Sequence, residues 1–158
     1  LVRFPNTRSN IDVKADTAVQ AVGPIVASHA ERVLLTAFSD ARRRTAMAAI
    51  MRAGANQRPA ASPGTFTVVK LVIAVWLRAR WLAARTLRGI DAVQIPERQG
   101  RLRVLSPRLI AMAHELGIEV HVWTVNESDD MRRLLDAGVD GIVTDRADVA
   151  LQVVAERK

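Results

Sequence analysis

A carboxylate and an ammonium group lie one residue apart near the start of the chain, at Asp12 and Lys14. Residues 11–14 are predicted to form a strand, and alternate side chains of a strand point to the same face. If that face is the interior of the protein, both charges are costly to bury unless they pair or bind a ligand. On an outward face, the same two residues would be an ordinary surface ion pair. Asp12 and Lys14 are therefore a candidate binding site, with the surface pair as the alternative.

A second candidate site lies near the other end of the chain, where two short apolar segments each end in polar residues. These segments, residues 120–126 and 139–146, flank an amphipathic stretch and together predict a strand–helix–strand unit. In the first segment, His121 and Trp123 point to one face. Trp123 is a candidate pocket residue, with simple filling of the core as the alternative. His121 lies deeper along the strand and is predicted to be a core histidine with its hydrogen bonds satisfied.

The elements that would position these residues alternate between strand and helix. Further strands are predicted at residues 33–38 and 92–95. Helices are predicted at residues 16–30 with a break at Gly23-Pro24, 40–52 after a Ser39 cap, 66–89, 107–116 after a Ser106 cap, 128–137, and from an Asp145 cap to residue 156. Repeated strand-then-helix units with short connections favour a parallel sheet covered by helices. The predicted fold class is therefore α/β.

Several motifs in this order resemble those of a known family. They are Asn-Ile-Asp-Val-Lys at residues 10–14, a strand ending in Ala-Phe at 33–38, Ala-Val-Gln-Ile-Pro-Glu at 92–97, Val-His-Val-Trp-Thr-Val-Asn at 120–126 and Asp-Gly-Ile-Val-Thr-Asp at 140–145. Together they resemble the glycerophosphodiester phosphodiesterase family. The similarity covers nearly the whole chain and is weakest between residues 58 and 89.

The resemblance implies a fold and an activity. The fold is a TIM-type (β/α)8 barrel, here truncated at its amino terminus to about six strands, with residues 1–158 as the C-terminal part of a single barrel domain. The activity is the hydrolysis of a glycerophosphodiester substrate to an alcohol and glycerol 3-phosphate. A divalent cation, Ca²⁺ or Mg²⁺, is the implied cofactor, because it polarises the phosphoryl oxygens.

The resemblance also gives roles to single residues. Asp12 stands where the family has a glutamate that ligates the metal ion, and a shorter carboxylate keeps the hard oxygen ligand that such ions prefer. Lys14 stands where the family has a lysine near the phosphate. Trp123 stands where a tryptophan lines the glycerol pocket, and its indole offers apolar contact and one N–H donor. Phe38 and Gln94 are further candidates for contact with substrate.

The early strands of the family have no counterpart in this sequence. They carry a His-Arg-Gly segment and a Glu-x-Asp pair, whereas histidine occurs here only at His29, His114 and His121, outside any such motif. The histidines that serve as general acid and base are therefore expected to be missing, and no catalytic residue is assigned. The chain is predicted to be inactive alone. The alternative is a non-catalytic barrel remnant that binds a phosphorylated ligand or a partner protein.

Composition limits the other functional classes. The net charge is +7, but the basic residues are spread over several predicted helices, so a nucleic-acid partner is not expected. No cysteine is present, which excludes disulfides and thiolate ligands. The longest uninterrupted apolar run, residues 71–77, is far shorter than the roughly 20 residues of a membrane span. No transmembrane segment is predicted, a peripheral membrane contact is an alternative, and neither oligomeric state nor cellular location is assigned.

Overall fold

The computed structural model describes residues 1 and 3–157 and contains eight strands and seven α-helices in that part of the chain. The strands are β1 Ser9–Asp12, β2 Val33–Thr36, β3 Ala60–Ala61, β4 Ala92–Pro96, β5 Arg98–Gln99, β6 Leu102–Arg103, β7 Glu119–Trp123 and β8 Gly141–Ile142. The helices are α1 Ala18–Val26, α2 Asp40–Arg52, α3 Thr65–Trp76, α4 Arg80–Thr86, α5 Pro107–Glu115, α6 Ser128–Asp136 and α7 Ala147–Ala155, with a 3₁₀ helix at Ala27–Arg32.

Six of the strands are parallel, and they form two sheets of three. The N-terminal sheet has the order β1-β2-β3, and the C-terminal sheet has the order β4-β7-β8. The sheets meet where β4 passes β3, because the Asp91 N–H donates to the Ala61 carbonyl at 2.9 Å. The Gln94 N–H also donates to the Ser62 hydroxyl at 3.1 Å. The predicted α/β class with parallel strands is therefore confirmed.

Each sheet has its own apolar core. Of the described residues, 22 form the buried cluster of the C-terminal sheet and 11 form that of the N-terminal sheet. The side chain of Met47, on α2, packs against both clusters. Strand residues supply the centres of both cores, because their alternate side chains are fully enclosed between sheet and helices. Leu35 in β2 and Ile95 in β4 are each 0% exposed.

Two helix starts follow their sequence signals closely. The Ser39 hydroxyl accepts the Arg42 N–H at 3.2 Å, and α2 begins at the next residue after Ser39. The Ser106 hydroxyl accepts the Leu109 N–H at 3.2 Å, and α5 begins with Pro107. In both cases a hydroxyl satisfies an amide that has no partner within the helix. These two predictions are confirmed.

The long helix predicted at residues 66–89 is wrong, because the chain forms two helices there. α3 ends at Trp76, and Arg78 adopts a left-handed conformation with φ of 55° before α4 starts at Arg80. The turn redirects the chain, so that Ala83 and Leu87 reach the C-terminal core. Apolar periodicity alone does not record such a change of direction.

Two other predicted helix boundaries are also wrong. α1 runs through Gly23 and Pro24 without a break and ends at Val26. It passes close to α2 there, since a Cβ on Gly23 would lie 2.8 Å from the Ala49 carbonyl oxygen. At the other end, the residue that precedes α7 is Arg146, not Asp145, and no side chain caps this helix.

A two-stranded antiparallel hairpin, β5 with β6, is absent from the sequence prediction. It turns at Gly100, whose φ is 59°. Glycine adopts this left-handed conformation at little cost, so the Gln99-Gly100 pair was the available signal.

None of the helices that the structure describes is both long enough and apolar enough to cross a membrane.

Candidate functional site

All five residues singled out from the sequence line one cavity of about 730 Å³. Asp12 ends β1, and Lys14 lies two residues beyond it. Phe38 follows β2, Gln94 lies in β4 and Trp123 ends β7. The carboxyl ends of parallel strands meet at one edge of a sheet, which is why these side chains converge. Both sheets contribute to the cavity.

The charged wall of the cavity consists of Asp12 and Lys14. The Asp12 Oδ2 lies 3.9 Å from the Lys14 Nζ, at the outer limit of an ion pair. The Lys14 side chain is 78% exposed, whereas that of Asp12 is 30% exposed. An ammonium that is loosely paired and exposed keeps donors for an anionic ligand. The pair therefore lines the cavity at its exposed edge.

The aromatic wall consists of Phe38 and Trp123. Their ring centroids lie 6.4 Å apart at an interplanar angle of 83°, which is an edge-to-face contact. Trp123 points to the cavity because Val120 and Val122 occupy the other face of β7 and are fully buried there. The contact joins the N-terminal sheet to the C-terminal sheet across the cavity.

Gln94 lines the cavity, but its amide is already held by two neighbours. Its oxygen accepts the Asn10 Nδ2–H at 3.1 Å, and its nitrogen lies 3.3 Å from His121 Nδ1. The other ring nitrogen of His121 lies 3.0 Å from the Glu119 carboxylate. Both ring nitrogens of His121 thus have partners, as predicted, but the side chain is only partly buried, with 17% exposed. Gln94 presents an amide of fixed orientation to the cavity.

Sequence reasoning missed Asn10 and the apolar wall. Asn10 lies two residues before Asp12 on β1, so strand alternation places both on the same face and could have identified it. The apolar wall comes mainly from α3 and from the β5–β6 hairpin. It includes Val68, Val69, Val72, Ile73 and Leu102. Nothing in the sequence indicated that a helix face would cover the strand ends.

The acidic residues around the site have structural partners. Burial raises the pKa of Asp40, but hydrogen bonds from the Gly64 N–H, the Thr67 hydroxyl and the Thr67 N–H outweigh it, so that the pKa is lowered overall. Asp40 thereby caps the first turn of α3 from a neighbouring helix. Burial likewise raises the pKa of Asp91, and the Arg58 guanidinium and the Ala61 N–H lower it by more. Both carboxyls stay ionised and hold loops in place.

The polar residues at the other strand ends also bond to the protein itself. The Glu97 carboxylate pairs with Arg133 at 2.8 Å, as expected of a loop charge. The Asn126 oxygen accepts the Asp145 N–H at 3.0 Å and the Thr144 hydroxyl at the same distance. Asn126 therefore fixes the loop between β8 and α7.

Histidine does not line the cavity in the part of the chain that the structure describes. His29 lies 3.3 Å from an Arg32 nitrogen, and His114 lies 2.8 Å from the Asp140 carboxylate. His121 bonds to Gln94 and Glu119, as described above. Each ring is therefore engaged away from the cavity surface.

A divalent cation does not find a complete set of ligands here. Within residues 1 and 3–157, no three histidine, aspartate or glutamate side chains are grouped closely enough to hold an ion. Asp12 is the one carboxylate in the described lining of the cavity, and Ca²⁺ or Mg²⁺ takes about six or more oxygen ligands. Asp12 could supply one ligand only, so these residues do not fit a whole cation site.

The fold and the site together define a class of protein. Parallel strands covered by helices, with a cavity of polar and aromatic side chains at the carboxyl ends, are the architecture of α/β enzymes. The family model for the glycerophosphoryl diester phosphodiesterase family matches residues 4–149. This chain belongs to that family, as the sequence motifs indicated.

Curated relatives agree with this assignment. The chain is 39% identical over 159 residues to "Probable glycerophosphodiester phosphodiesterase 2" of Mycobacterium tuberculosis, a match that covers 99% of this chain and 58% of the relative. A glycerophosphodiester phosphodiesterase of Caldanaerobacter subterraneus is 38% identical over 48 residues, which are 30% of this chain and 20% of that protein. This chain therefore spans less than two thirds of the length of these relatives.

A solved structure supports the fold. The crystal structure of a glycerophosphodiester phosphodiesterase from Parabacteroides distasonis superimposes with a TM-score of 0.66 at 19% sequence identity. The match covers 99% of this chain and 60% of that one. At this identity the likeness concerns the arrangement of strands and helices.

Proposed function

We propose that this chain forms six strands of a (β/α)8 barrel whose activity is the hydrolysis of glycerophosphodiesters to an alcohol and glycerol 3-phosphate. The observation that carries the proposal is the cavity, which brings Asp12, Lys14, Phe38, Gln94 and Trp123 together at the carboxyl ends of the strands. The Asn10–Gln94 hydrogen bond supports a sheet that curves toward a closed barrel, because the bond joins the first and fourth parallel strands across the concave side. A flat sheet would hold these strands too far apart for a bond of 3.1 Å.

Each wall of the cavity suits one part of such a substrate. The exposed Lys14 ammonium would neutralise a phosphodiester oxygen, and its donors are not saturated by Asp12 at 3.9 Å. Trp123 and Phe38 would contact the carbon face of the glycerol moiety. The fixed Gln94 amide would orient a glycerol hydroxyl, because its own hydrogen bonds prevent it from rotating.

The chain by itself is proposed to be inactive. Hydrolysis needs a general base and a general acid within hydrogen-bonding reach of the reacting atoms. The described lining of the cavity offers one carboxylate and no imidazole. A divalent ion at Asp12 would also need oxygen ligands beyond those of this cavity.

Release of glycerol 3-phosphate from glycerophosphocholine tests the proposal. The chain alone is expected to give none. A fusion of the chain to the portion of the Mycobacterium tuberculosis relative outside the match is expected to give activity that depends on added Ca²⁺ or Mg²⁺. A Lys14→Met substitution in the fusion should then abolish most of it. A correctly folded fusion without activity would contradict the proposal.

A second candidate function is binding without hydrolysis, which the loosely paired Lys14 and the absence of imidazole from the described lining favour. In this case, the chain alone binds glycerol 3-phosphate in a calorimetric titration and Lys14→Met weakens the binding, while the fusion stays inactive. This combination of results separates a binding remnant from part of an enzyme.

A further inference from the structure

Helix α3 and the start of α4 carry a cluster of large apolar side chains that are mostly exposed. Six of the 14 exposed large apolar side chains fall within residues 66–81. We call them the α3 stripe, and they are Phe66, Val69, Ile73, Trp76, Leu77 and Trp81. Trp76 and Trp81 are 78% and 71% exposed. Clustered exposure of this kind marks an interaction surface, whereas single exposed apolar residues do not.

The stripe is separate from the face that α3 uses to fold. Leu71, Ala74 and Val75 are the buried residues of α3 and belong to the core of the C-terminal sheet. Four stripe residues lie on the exposed part of α3, and Leu77 and Trp81 follow the helix. A helix with apolar side chains on its exposed surface as well as its buried one is normally enclosed by protein or lipid, so the exposed part of α3 lacks an apolar environment.

The charges around the stripe have one sign. Residues 41–90 contain ten of the 23 basic residues of the chain and none of its 16 acidic residues. Arg42, Arg43 and Arg58 in this segment pair with Asp16, Asp40 and Asp91, which lie outside it. The cations beside the stripe itself are Lys70, Arg78, Arg80, Arg85 and Arg88, and all five are exposed.

These cations are mostly free of acidic partners. Among the described residues, only Arg80 has one, the Glu115 carboxylate at 3.5 Å. Lys70 lies over the Phe66 ring, with its Nζ 4.4 Å from the ring centroid. This is a cation–π contact, so a positive charge lies directly on the exposed aromatic part of the stripe.

We propose that the α3 stripe docks this protein on the surface of an anionic lipid bilayer. Tryptophan side chains at the level of the head groups and flanking Lys and Arg side chains are the combination that such surfaces bind. A second copy of the chain is a poorer occupant, because it would bring two cationic surfaces together. The proposal concerns a surface and does not depend on the proposed activity.

Docking here would place the cavity at the membrane surface. Val69 and Ile73 belong both to the stripe and to the lining of the cavity. The mouth of the cavity would then open beside the head groups.

Co-sedimentation of the whole chain with vesicles tests this directly. The chain is expected to bind vesicles made of an equimolar mixture of phosphatidylcholine and phosphatidylglycerol. It should stay in solution when the vesicles contain phosphatidylcholine alone. Replacing both Trp76 and Trp81 by Ser should lower the partition coefficient at least about tenfold, since apolar burial is lost. The double variant Arg78→Gln, Arg88→Gln should lower it by a similar factor.

Matched control variants distinguish docking through the stripe from nonspecific adsorption to vesicles. Leu151→Ser removes an apolar side chain that is 72% exposed on α7, far from the stripe in sequence, and should leave binding unchanged. Arg108→Gln removes an exposed cation of α5 and should have little effect. Circular dichroism of each variant establishes that the fold is retained.

Fluorescence gives an independent readout, because the chain has three tryptophans and Trp123 lies in the cavity. Anionic vesicles should shift the emission to shorter wavelength. The double variant Trp76→Phe, Trp81→Phe should still sediment with vesicles but lose most of this shift. Equal binding by the Ser double variant, or an unchanged emission in the wild-type chain, would overturn the proposal. Dimerisation or oligonucleotide binding through the stripe, without binding to vesicles, would also overturn it.

Discussion

The two sheets differ in what they contribute to the cavity and in how they are held together. The N-terminal sheet supplies the charged pair, Asp12 and Lys14, from a four-residue strand and the loop that follows it. The C-terminal sheet supplies the neutral side chains Gln94 and Trp123, from two five-residue strands paired along their whole length. Its buried cluster is also twice as large, with 22 residues against 11.

This difference suggests that one sheet mainly shapes the cavity and the other mainly supplies its charged groups. Two neutral groups of the cavity, Gln94 and Trp123, lie on the better-packed sheet, where neighbours fix their orientation. The charged groups lie on the less extensively packed sheet, at strand ends where water still reaches them. Burying charge in a dense core is costly, whereas a half-exposed strand end tolerates it. The expectation is that the N-terminal sheet governs the chemistry and the C-terminal sheet governs shape and stability.

The largest effect should come from Asp12→Asn in the active fusion described above. Asp12 is the one carboxylate of the described lining, and an amide can neither balance Lys14 nor hold a cation as a carboxylate does. We expect kcat to fall about a thousandfold, which is about 4 kcal/mol. Gln94→Ala should lower kcat/KM only about tenfold. Steady-state release of glycerol 3-phosphate measures both.

Asp16→Asn is the matched control for this comparison. Asp16 is 83% exposed and pairs with Arg42 outside the cavity, so its loss should leave kcat unchanged. If Gln94→Ala were as damaging to kcat as Asp12→Asn, the division of tasks between the sheets would be wrong.

The next effect concerns the two cores. Leu35→Ala in β2 and Leu134→Ala in α6 each remove a side chain that is at most 1% exposed, and each should cost about 3 kcal/mol of the free energy of unfolding. Their consequences should differ in hydrogen exchange. Leu35→Ala should raise amide exchange mainly in β1 to β3, because the smaller core opens separately. Leu134→Ala should raise it in both sheets.

The physical reason is the narrow connection between the cores, in which Met47 packs against both clusters. Uniform acceleration of exchange after Leu35→Ala would show that the two sheets unfold as one unit. A Met47→Ala variant then becomes the sharper probe, since it loosens the connection without touching either strand set.

A smaller effect is expected from Asp91→Asn at the junction of the sheets. The Asp91 carboxylate accepts two hydrogen bonds from Arg58, at 2.6 and 2.8 Å, and one from the Ala61 N–H at 2.8 Å. Charge-assisted paired bonds are stronger than neutral ones, so their loss should cost about 1–2 kcal/mol in urea denaturation. Asp148→Asn breaks an exposed pair with Arg146 and should cost clearly less stability, because solvent screens that pair. Equal losses would mean that the junction contributes no more than a surface pair.

The sequence predicted the fold wherever local chemistry fixes a boundary. Ser39 and Ser106 are hydroxyl caps that act on amides three residues away, so their helices start where expected. The Arg78 turn was not predictable, because it follows from how α4 must pack and not from its own residues. The cap predicted at Asp145 is wrong for a related reason, since the Asp145 carboxylate faces the side-chain amide of Asn126, which is distant in sequence.

The candidate site was likewise predictable only where local sequence determines the position of a residue. Residues on strands were predictable, because parallel strands bring their carboxyl ends together and the motifs lie there. Asn10 could have been found by alternation from Asp12. The apolar wall from α3 and Leu102 could not, since it depends on the direction in which α3 and the β5–β6 hairpin leave the sheet. The hydrogen bonds that hold Gln94 were equally hidden, because they join three strands.

The smallest expected effect is the response to acid, and Asp140 in the C-terminal sheet is its probe. Burial raises the pKa of Asp140, but the Val120 N–H at 2.7 Å and His114 at 2.8 Å lower it by more. The pKa in the folded state therefore lies below that of the unfolded chain, about 3.9. The stabilising contribution is complete above that pH and is lost as the pH falls through the folded-state pKa.

Asp140→Asn should consequently reduce the fall in the urea midpoint below about pH 4, and should lower stability at neutral pH by about 1 kcal/mol or less, because the carboxylate is partly exposed. Asp129→Asn, which removes a carboxylate whose side chain is 97% exposed, is the control for loss of a surface charge. Asp40→Asn, which removes the cap on α3 contributed by α2, extends the test to the boundary of the smaller core. If Asp40→Asn flattens the acid slope more than Asp140→Asn does, acid weakens the α2–α3 contact more than it weakens the C-terminal sheet. The reverse result would make the contact in the better-packed half the more acid-sensitive one, against the difference in core size.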